Sequence, residues 1–244
     1  MKSQLSEQQA LIPPDENRRM FDGIARRYDL LNTIISLGRD HVWRREAVDR
    51  LQVRAGGQYV DAGCGTGALS LALARRCPAG ALTVHGLDFS AAMLQEGGRR
   101  ITQAGLAASI TLQQGDALAL PFANGSMDGV ISGFVLRNLS NRPAALVEWC
   151  RVLRPGGRCV VLELAVPESW LMRGGYRIFT RLVVPGLAWL LSQRQAYVYL
   201  LDSIQAFPAP AVVCQWFEQA GFTDVQTTPL TFGSVRIYQG TKGG

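Results

Sequence analysis

A glycine-rich turn at residues 63–68 is the first part of the chain whose residue types indicate chemistry. Gly63 and Gly65 stand two residues apart, and Ala68 completes the spacing G-x-G-x-x-A. Glycines at such a turn let the backbone approach a ligand closely, and the N–H groups at the start of the following helix are free to bind it. The spacing suits dinucleotides and other nucleoside-type cofactors, so by itself it leaves the ligand open.

Asp61, two residues before the first glycine, favours a cationic cofactor. A carboxylate at this position would repel the pyrophosphate of a dinucleotide, whereas it would attract the ammonium group of a methionine moiety. The local charge therefore favours a cationic cofactor over a dinucleotide.

Two further carboxylates follow the next two predicted strands. Asp88 ends the second strand, where it could accept hydrogen bonds from both ribose hydroxyls. Asp116 follows the third strand, where it could bind the exocyclic amine of adenine. Because the carboxyl ends of parallel strands meet at one edge of a sheet, we expect Asp61, Asp88 and Asp116 to line one crevice. The structural alternative is that Asp61 and Asp88 cap helices and that Asp116 starts a turn.

The elements that must position these residues follow the rhythm of a parallel α/β sheet, in which short apolar runs end in a turn and lead into a helical segment. The predicted strands are residues 58–62, 82–87, 110–113, 129–132, 158–164, 223–228 and 235–240. The predicted helices between them are residues 69–76, 91–104 and 144–153. Gly156 and Gly157 are expected to end the last of these helices, and the last two strands to form a hairpin.

The 244 residues suffice for one α/β domain with small additions. We expect a flexible arm at residues 1–14 and a cofactor-binding domain at residues 52–244. Between them, apolar residues at three- and four-residue spacing predict a helical cap at residues 15–51.

Composition restricts the class of protein. With 48% hydrophobic and 18% charged residues, the chain is too apolar to be disordered. The apolar run at residues 182–191 is far shorter than the roughly 20 residues of a membrane-spanning helix, and the N-terminus carries no secretory signal. We therefore expect a cytoplasmic protein. The net charge of +6 favours an anionic membrane surface over nucleic acid, because the arginines are dispersed.

Cysteine and histidine usage indicates neither a disulfide framework nor a bound metal. The five cysteines form no C-x-x-C pair, and their odd number suits reduced thiols. His41 and His85 are the two histidines, too few for a His-based metal site.

Several motifs resemble those of known methyltransferases. The chain resembles class I S-adenosylmethionine methyltransferases in its glycine loop, in GLDFS around Asp88, in GDALALPF around Asp116 and in RVLRPGGRCVVLE at residues 151–163. It is similar to the ubiquinone/menaquinone C-methyltransferase family in MFDGIARRYDLLNTIISLGRDHVWRR at residues 20–45, in GFVLRNL at residues 133–139 and in its AGF…FG ending. The resemblance implies a Rossmann-like sheet of seven mostly parallel strands with an antiparallel last strand, and a demethylmenaquinol-type substrate.

The resemblance also implies individual contacts. By position, the cofactor contacts are Thr66, Asp88, Asp116, Ala117 and Gly133. The family often has Ser where this chain has Gly133, so a side-chain hydrogen bond is absent at that point. A helical insertion at about residues 168–206 is expected to line the channel for the substrate tail.

The implied reaction needs an electron-rich ring. A neutral aromatic carbon is a poor nucleophile, whereas deprotonation of a quinol hydroxyl raises the electron density on the adjacent unsubstituted carbon, so the substrate should be the reduced form. Arg137, just past the fourth strand, is predicted to stabilise the phenolate, and Asn138 to orient the quinol. The structural alternatives are a salt bridge for Arg137 and a helix N-cap for Asn138.

Tyr28, Asp29 and Asn32 lie within about one helical turn of the predicted cap and could face the pocket together. Asp29 could accept the phenol proton through a water molecule, and His41 is an alternative base. The structural alternative is that Tyr28 packs in the core and that Asp29 and Asn32 end a helix.

Residues 173–181 carry three arginines at every fourth position beside apolar side chains. If helical, this segment would have a basic and an apolar face, which suits either solvent or peripheral association with a membrane that supplies a lipid-tailed quinol. A homodimer is left open.

Three other functions remain open at this point. One is methylation of another small molecule, such as a polyketide or a sterol-like compound. A nicotinamide-dependent dehydrogenase is disfavoured by Asp61. A non-catalytic module that only binds the cofactor would show affinity without turnover.

Overall fold

The structure is a computed structural model, in which residues 13–170, 172, 174 and 194–244 are described. Most of the predicted arm at residues 1–14 lies outside these residues. So does most of the predicted insertion at about residues 168–206, including the arginine-rich segment at residues 173–181.

The elements are numbered along the described residues. The strands are β1 (Gln58–Ala62), β2 (Thr83–Asp88), β3 (Ile110–Gln114), β4 (Met127–Gly133), β5 (Leu153–Leu164), β6 (Phe222–Leu230) and β7 (Val235–Lys242). The helices are α1 (Pro14–Ile24), α2 (Tyr28–Ile35), α3 (Asp40–Leu51), α4 (Ala68–Ala74), α5 (Ala91–Gln103), α6 (Arg142–Val152), α7 (Arg194–Gln205) and α8 (Pro210–Gln219). Short 3₁₀ helices occur at Ala25–Arg27, Leu136–Asn138 and Thr231–Gly233. None of the helices described is both long and apolar enough to cross a bilayer.

The seven strands form one sheet in the order β3-β2-β1-β4-β5-β7-β6. Neighbouring strands from β3 to β5 pair in parallel, whereas β7 is antiparallel to both β5 and β6. The predicted fold class, a Rossmann-like and mostly parallel seven-stranded sheet with an antiparallel last strand, is confirmed. The predicted hairpin of the last two strands is also confirmed.

The central strands are buried on both faces, which explains why their sequences are continuously apolar rather than alternating. In β4, six consecutive residues are buried. One face of the sheet packs against α6 and α8, where Trp149 and Phe217 are fully buried. The other face packs against α3 and α4, where Val48 and Leu73 are covered.

The strand order reverses at β1, because the chain runs outward from β1 to β3 and then returns to β4 on the other side of β1. Such a reversal leaves a crevice at the carboxyl ends of the strands, where open α/β sheets bind ligands. Asp88 and Gly133 end their strands at this edge, and Asp61 is the penultimate residue of β1. Asp116 follows shortly after β3. The predicted meeting of the three carboxylates at one sheet edge therefore follows from the topology.

The N-terminal helices extend over this edge of the sheet. α1 and α2 pack on the start of α5 through Ile24, Leu31 and Met93, which are buried together. α3 packs on the sheet itself. The turn between α2 and α3 contains Leu37 and Gly38, both with positive φ.

β5 begins earlier than predicted. Met127 pairs with Leu153, but Gly129 pairs with Arg158, so the residues between Leu153 and Arg158 leave the ladder. Gly156 there has a φ of 78°, which glycine adopts without steric cost. The glycine pair therefore interrupts β5, and the expectation that it ends α6 is wrong.

Candidate active site

The glycine loop connects β1 to α4 in a conformation that glycine adopts most readily. Gly63, Gly65 and Gly67 have φ angles of 75°, 53° and 73°. Space also excludes a side chain at Gly63, because a Cβ there would lie 2.5 Å from a methyl group of Val135. The loop therefore presents bare backbone beside the crevice.

Asp61 is fully buried in β1. Its Oδ2 accepts a 2.7 Å hydrogen bond from the Ser70 hydroxyl, whereas its Oδ1 has no hydrogen-bond partner in the described part of the chain. Burial raises the pKa of Asp61 to about 6, because water no longer stabilises the charged carboxylate. A buried carboxylate with one unused oxygen is an arrangement that a cationic ligand group would complete.

Asp88 fastens the glycine loop to the end of β2. Its Oδ2 accepts a 2.8 Å hydrogen bond from the Gly65 N–H, and its Oδ1 accepts a 2.9 Å bond from the Ser90 N–H. Burial raises the pKa of Asp88. Ser90 is the N-cap of α5, and Gly67 is the N-cap of α4. The alternative that Asp61 and Asp88 cap these helices is therefore wrong.

Asp116 and Ala117 form the adjoining turn. Asp116 is exposed, and its Oδ1 accepts a 2.8 Å hydrogen bond from the Leu118 N–H, so the alternative of a turn at this residue is present. The Ala117 carbonyl accepts a 2.9 Å hydrogen bond from the indole of Trp149, which holds the turn against α6. Within the described residues, Oδ2 of Asp116 makes no hydrogen bond and remains available to a ligand.

Gly133 presents only backbone to the crevice. A Cβ at this position would lie 2.6 Å from Cδ1 of Leu69. Leu69 therefore occupies the space that a serine side chain would need, and its side chain would have to move in a Gly133→Ser variant.

Asp29 contacts the glycine loop. Its Oδ1 accepts a 2.9 Å hydrogen bond from the Thr66 hydroxyl, and its Oδ2 forms a 2.5 Å ion pair with Arg100 of α5. The Thr66 hydroxyl is thus used inside the protein, while its N–H makes no hydrogen bond to any described residue. Because Arg100 neutralises the Asp29 carboxylate, the geometry does not favour the predicted use of Asp29 as the base.

A cavity of about 540 Å³ lies between the N-terminal helices and the carboxyl edge of the sheet. Its walls are mainly apolar and include Phe21, Ile24, Leu31, Ile35, Trp43, Phe134, Leu164, Leu201, Ile204 and Val235. Its polar lining includes Tyr28, Asn32, Asp40, Arg137 and Tyr199. This composition suits a largely apolar ligand with a few polar atoms.

The structure brings only two of the three predicted cap residues into the cavity. Tyr28 and Asn32 share one face of α2, whereas Asp29 is rotated by about 100° and does not line the cavity. A Cβ at Gly65 would lie 4.0 Å from Cε1 of Tyr28, so this ring borders both the cavity and the glycine loop. Nδ2 of Asn32 is buried without a hydrogen-bond partner among the described residues. The alternative base His41 is exposed and lies outside the cavity lining.

Arg137 is buried and forms a 2.5 Å ion pair with the fully buried Glu163 of β5. Its Nη1 also donates to the Phe134 carbonyl at 2.7 Å, and its Nε donates to the Ser203 hydroxyl at 3.3 Å. No described residue accepts a hydrogen bond from Nη2. The salt-bridge alternative is therefore present, and Glu163 compensates most of the predicted positive charge. What remains is a rigid hydrogen-bond donor at the cavity wall.

Asn138 lies behind the cavity wall. Its Nδ2 donates to the Phe134 carbonyl at 3.2 Å, and its Oδ1 accepts a 3.0 Å hydrogen bond from the hydroxyl of Tyr199. Tyr199 lines the cavity, and burial raises its pKa. Asn138 thus positions Tyr199. Contrary to the prediction, it does not line the cavity. The N-cap of α6 is Asn141, so the helix-cap alternative for Asn138 is wrong as well.

The sequence matches one protein family over nearly its whole length. The model of the ubiE/COQ5 methyltransferase family matches residues 8–242. The chain belongs to this family. Membership removes the dehydrogenase alternative and agrees with the local charge at Asp61.

Two curated relatives show how closely this methyltransferase resembles other members. A ubiquinone/menaquinone biosynthesis C-methyltransferase UbiE from Syntrophotalea carbinolica is 40% identical over 230 residues, covering 94% of this chain and 95% of that protein. A demethylmenaquinone methyltransferase from Mycolicibacterium vanbaalenii is also 40% identical over 230 residues, covering 94% of this chain and 96% of that protein.

A solved structure supports the fold of this methyltransferase. It is a SAM-dependent methyltransferase from Thermotoga maritima, described as a possible histamine N-methyltransferase. The TM-score is 0.64, with 18% identity and coverage of 92% of this chain and 99% of that chain. At this identity the likeness concerns the fold and carries no information about the acceptor.

Sequence reasoning did not predict several residues of this methyltransferase's site. Glu163 is paired with Arg137, 26 positions away, and Tyr199 is paired with Asn138, 61 positions away. Glu163 lies at the end of the motif RVLRPGGRCVVLE, and Tyr199 lies in the predicted insertion at about residues 168–206. No local pattern marks their partners, because such pairs depend on which elements the fold makes adjacent.

The buried Asp61 should make cofactor binding depend on pH. Below its pKa of about 6 the carboxyl is protonated in the free protein and attracts an ammonium group less. The affinity for S-adenosyl-L-methionine should therefore fall by up to about tenfold per pH unit below this value and level off above it, until the α-amino group of the cofactor loses its proton at about pH 8. Calorimetric titration over a pH series measures this. Asp61→Asn should bind weakly with no such slope, and Asp116→Asn should keep it. A wild-type affinity that does not change with pH would contradict the assignment.

Proposed function

We propose that this chain methylates a ring carbon of a reduced, lipid-tailed quinol such as demethylmenaquinol, with S-adenosylmethionine as the methyl donor. The observation that carries the proposal is that a mainly apolar cavity of about 540 Å³ adjoins the glycine loop at Tyr28. The names of the relatives, which refer to ubiquinone and menaquinone, favour a quinol over a polyketide or a sterol-like acceptor.

The residues at the strand ends fit this cofactor. Asp61, with its unused Oδ1, would hold the ammonium group, and the Thr66 N–H would bind the carboxylate. The oxygens of Asp88 each accept one hydrogen bond and keep a lone pair for the ribose hydroxyls, while Asp116 would accept from the adenine amine. Ala117 and Gly133 would contribute backbone contacts. When bound, the cofactor supplies a methyl group on a positively charged sulfur.

The cavity suits a ring with a prenyl tail. Burial of the tail against apolar walls is worth about 0.8 kcal/mol per CH₂ group. Nη2 of Arg137 and Nδ2 of Asn32, which have no partner among the described residues, would donate hydrogen bonds to the quinol oxygens. Donors fixed in advance favour the ionised phenolate without reorganisation, and the carbon beside a phenolate oxygen is a better nucleophile than the same carbon in the neutral quinol. Tyr28 would orient the ring against the methyl donor.

Asp40 takes the place of Asp29 as the proposed base. It is the acidic side chain, within the described chain, that lines the cavity. Its Oδ1 lies 3.3 Å from the Ser36 hydroxyl, and its Oδ2 lies 3.5 Å from Nε of Arg44. The ion pair of Asp40 with Arg44 is longer than the 2.5 Å pair between Asp29 and Arg100. The Asp40 carboxylate is therefore the better placed of the two to accept a phenol proton, directly or through water.

The border of the cavity has the features of a membrane contact. Leu37 and Phe232 line the cavity and are both 77% exposed. Both have positive φ angles, 52° and 56°, which are unfavourable for non-glycine residues. Such strain at exposed apolar side chains points to a function for their position. Arg39 beside them is exposed and forms no ion pair with a described residue. Peripheral binding to an anionic bilayer at this border would give the quinol tail a path into the cavity.

Methyl transfer should require both the tail and the reduced ring. Radiolabel from S-adenosylmethionine should enter extracted demethylated quinones when a reductant is present and not when it is absent. Prenylated naphthoquinols should be better substrates than soluble phenols, because the apolar cavity binds the tail. Equal labelling of oxidised quinone, or turnover on soluble phenols alone, would contradict the proposed substrate.

Asp40→Asn should lower kcat by about 10²–10⁴, the usual contribution of a general base, and leave the Kd for S-adenosylmethionine unchanged. Asp49→Asn is a matched control in the same helix, because Asp49 is half-exposed and pairs with Arg76. Steady-state kinetics and calorimetry separate the two quantities. A wild-type kcat in Asp40→Asn would remove Asp40 from the mechanism.

Replacing Leu37 and Phe232 by Ser should weaken binding to vesicles that contain anionic lipid by at least about tenfold, because burial of such a side chain is worth roughly 1.5–3 kcal/mol. Cosedimentation measures the binding. Val147→Ser is the control, since Val147 is 54% exposed on α6, on the opposite face of the sheet. Unchanged vesicle binding in the double variant would exclude this surface.

A further inference from the structure

Thr66 lies at the centre of the glycine loop, in a turn closed by a 2.9 Å hydrogen bond from the Gly67 N–H to the Cys64 carbonyl. It is 1% exposed and stands between Gly65 and Gly67, both with positive φ. Glycine has the greatest backbone freedom of any residue, so contacts from outside the loop add to this one backbone bond in fixing the conformation of Thr66. In the proposed site this matters, because Thr66 supplies a backbone N–H to the cofactor.

Those contacts come from one carboxylate and one guanidinium, and we name Asp29, Thr66 and Arg100 together the clamp. Nη1 of Arg100 donates to the Thr66 carbonyl at 3.1 Å and to its hydroxyl oxygen at 2.9 Å. The same hydroxyl donates to Oδ1 of Asp29 at 2.9 Å, and Oδ2 of Asp29 pairs with Arg100 at 2.5 Å. Each member contacts both others, so the loss of one disturbs the remaining pair.

A second attachment lies on the other side of Asp88. The Ser90 hydroxyl donates to Oδ1 of Asp22 in α1 at 2.5 Å. Phe21 packs edge-to-face against Phe89, with ring centroids 6.4 Å apart. The N-terminal helices are therefore attached to both elements that flank the proposed ribose site. These elements are the glycine loop and the start of α5.

The clamp also controls the wall between the two proposed ligands. Asp29 follows Tyr28 directly in α2, and Tyr28 borders the cavity and Gly65. A shift of α2 away from Arg100 would therefore move this wall and the Thr66 backbone together. The Asp29 and Arg100 side chains are 33% and 31% exposed, so water and salt can reach the pair.

We propose that Arg100 is a positioning residue, which sets the cofactor loop through Thr66 and holds the N-terminal helices against it through Asp29. The inference rests on the proposed function for the identity of the cofactor. It goes further in assigning cofactor retention to an ion pair that does not touch the cofactor.

Calorimetry with S-adenosylmethionine tests the clamp directly. Arg100→Ala should raise the Kd and KM for the cofactor by about tenfold or more, which lies within the range of coupled sites, and should change these constants by a larger factor than kcat. Arg100→Lys keeps the charge and should restore part of the affinity. Arg99→Ala is the matched control, because Arg99 is the exposed neighbour that pairs with Glu96 at 3.3 Å. High salt should weaken binding in the wild type more than in Arg100→Ala.

Asp29→Asn is the second variant, and it keeps the shape of the side chain if Arg100→Ala folds poorly. It should reproduce the loss of affinity. The double variant should be no weaker than Arg100→Ala, since both changes remove the same interaction. Additive losses, or a normal Kd in both single variants, would overturn the proposal.

Limited trypsin digestion gives a result that does not depend on activity. Arg18, Arg19 and Arg27 are exposed cleavage sites in the N-terminal helices. Without any ligand, Arg100→Ala should be cut there faster than the wild type and Arg99→Ala. Equal rates in all three proteins would contradict the clamp. If the wild type bound no S-adenosylmethionine, the proposed function would fail, and the digestion would still decide on the clamp.

Discussion

A buried carboxylate without its full set of partners lowers the stability of a fold, and Asp61 is such a group. It is accommodated by one hydrogen bond from Ser70 and by a raised pKa, which lowers the cost of burial by favouring the neutral form. Burial of the other oxygen, Oδ1, without a hydrogen-bond partner is explained if a cationic group of a ligand binds to it. The glycine loop, the Asp88 hydrogen bonds and the turn at Asp116 are arranged around the same crevice, so their roles depend on that interaction.

The cavity obeys a second electrostatic constraint. Arg137 is buried, and an isolated buried charge would be costly, so the fully buried Glu163 accompanies it. This pairing removes much of the long-range attraction for a phenolate and leaves a rigid donor whose direction is set by Glu163, Phe134 and Ser203. Catalysis in such a site would rely on preorganised hydrogen bonds more than on net charge.

The N-terminal helices connect the two halves of the site. They supply the apolar wall and the polar residues Tyr28, Asn32 and Asp40 to the cavity, and they contact the cofactor loop through Asp29. A single group of helices therefore shapes the proposed acceptor site and covers the proposed donor site. Such an arrangement keeps water from the methyl donor while the acceptor carbon is aligned with it.

The sequence alone determined the α/β class, most strand positions, the crevice with its three carboxylates, and the family. These properties depend on local patterns: apolar runs, glycines where the backbone needs a positive φ, and acidic residues at strand ends. The tertiary structure decided which side chains meet. Spacing alone could not show that Asp29 faces away from the cavity that Tyr28 and Asn32 line. Only the packing of α2 shows that its Asp29 side meets Arg100, 71 positions away. Glu163 and Tyr199 became site residues for the same reason, since contacts between distant residues depend on which elements the topology brings together.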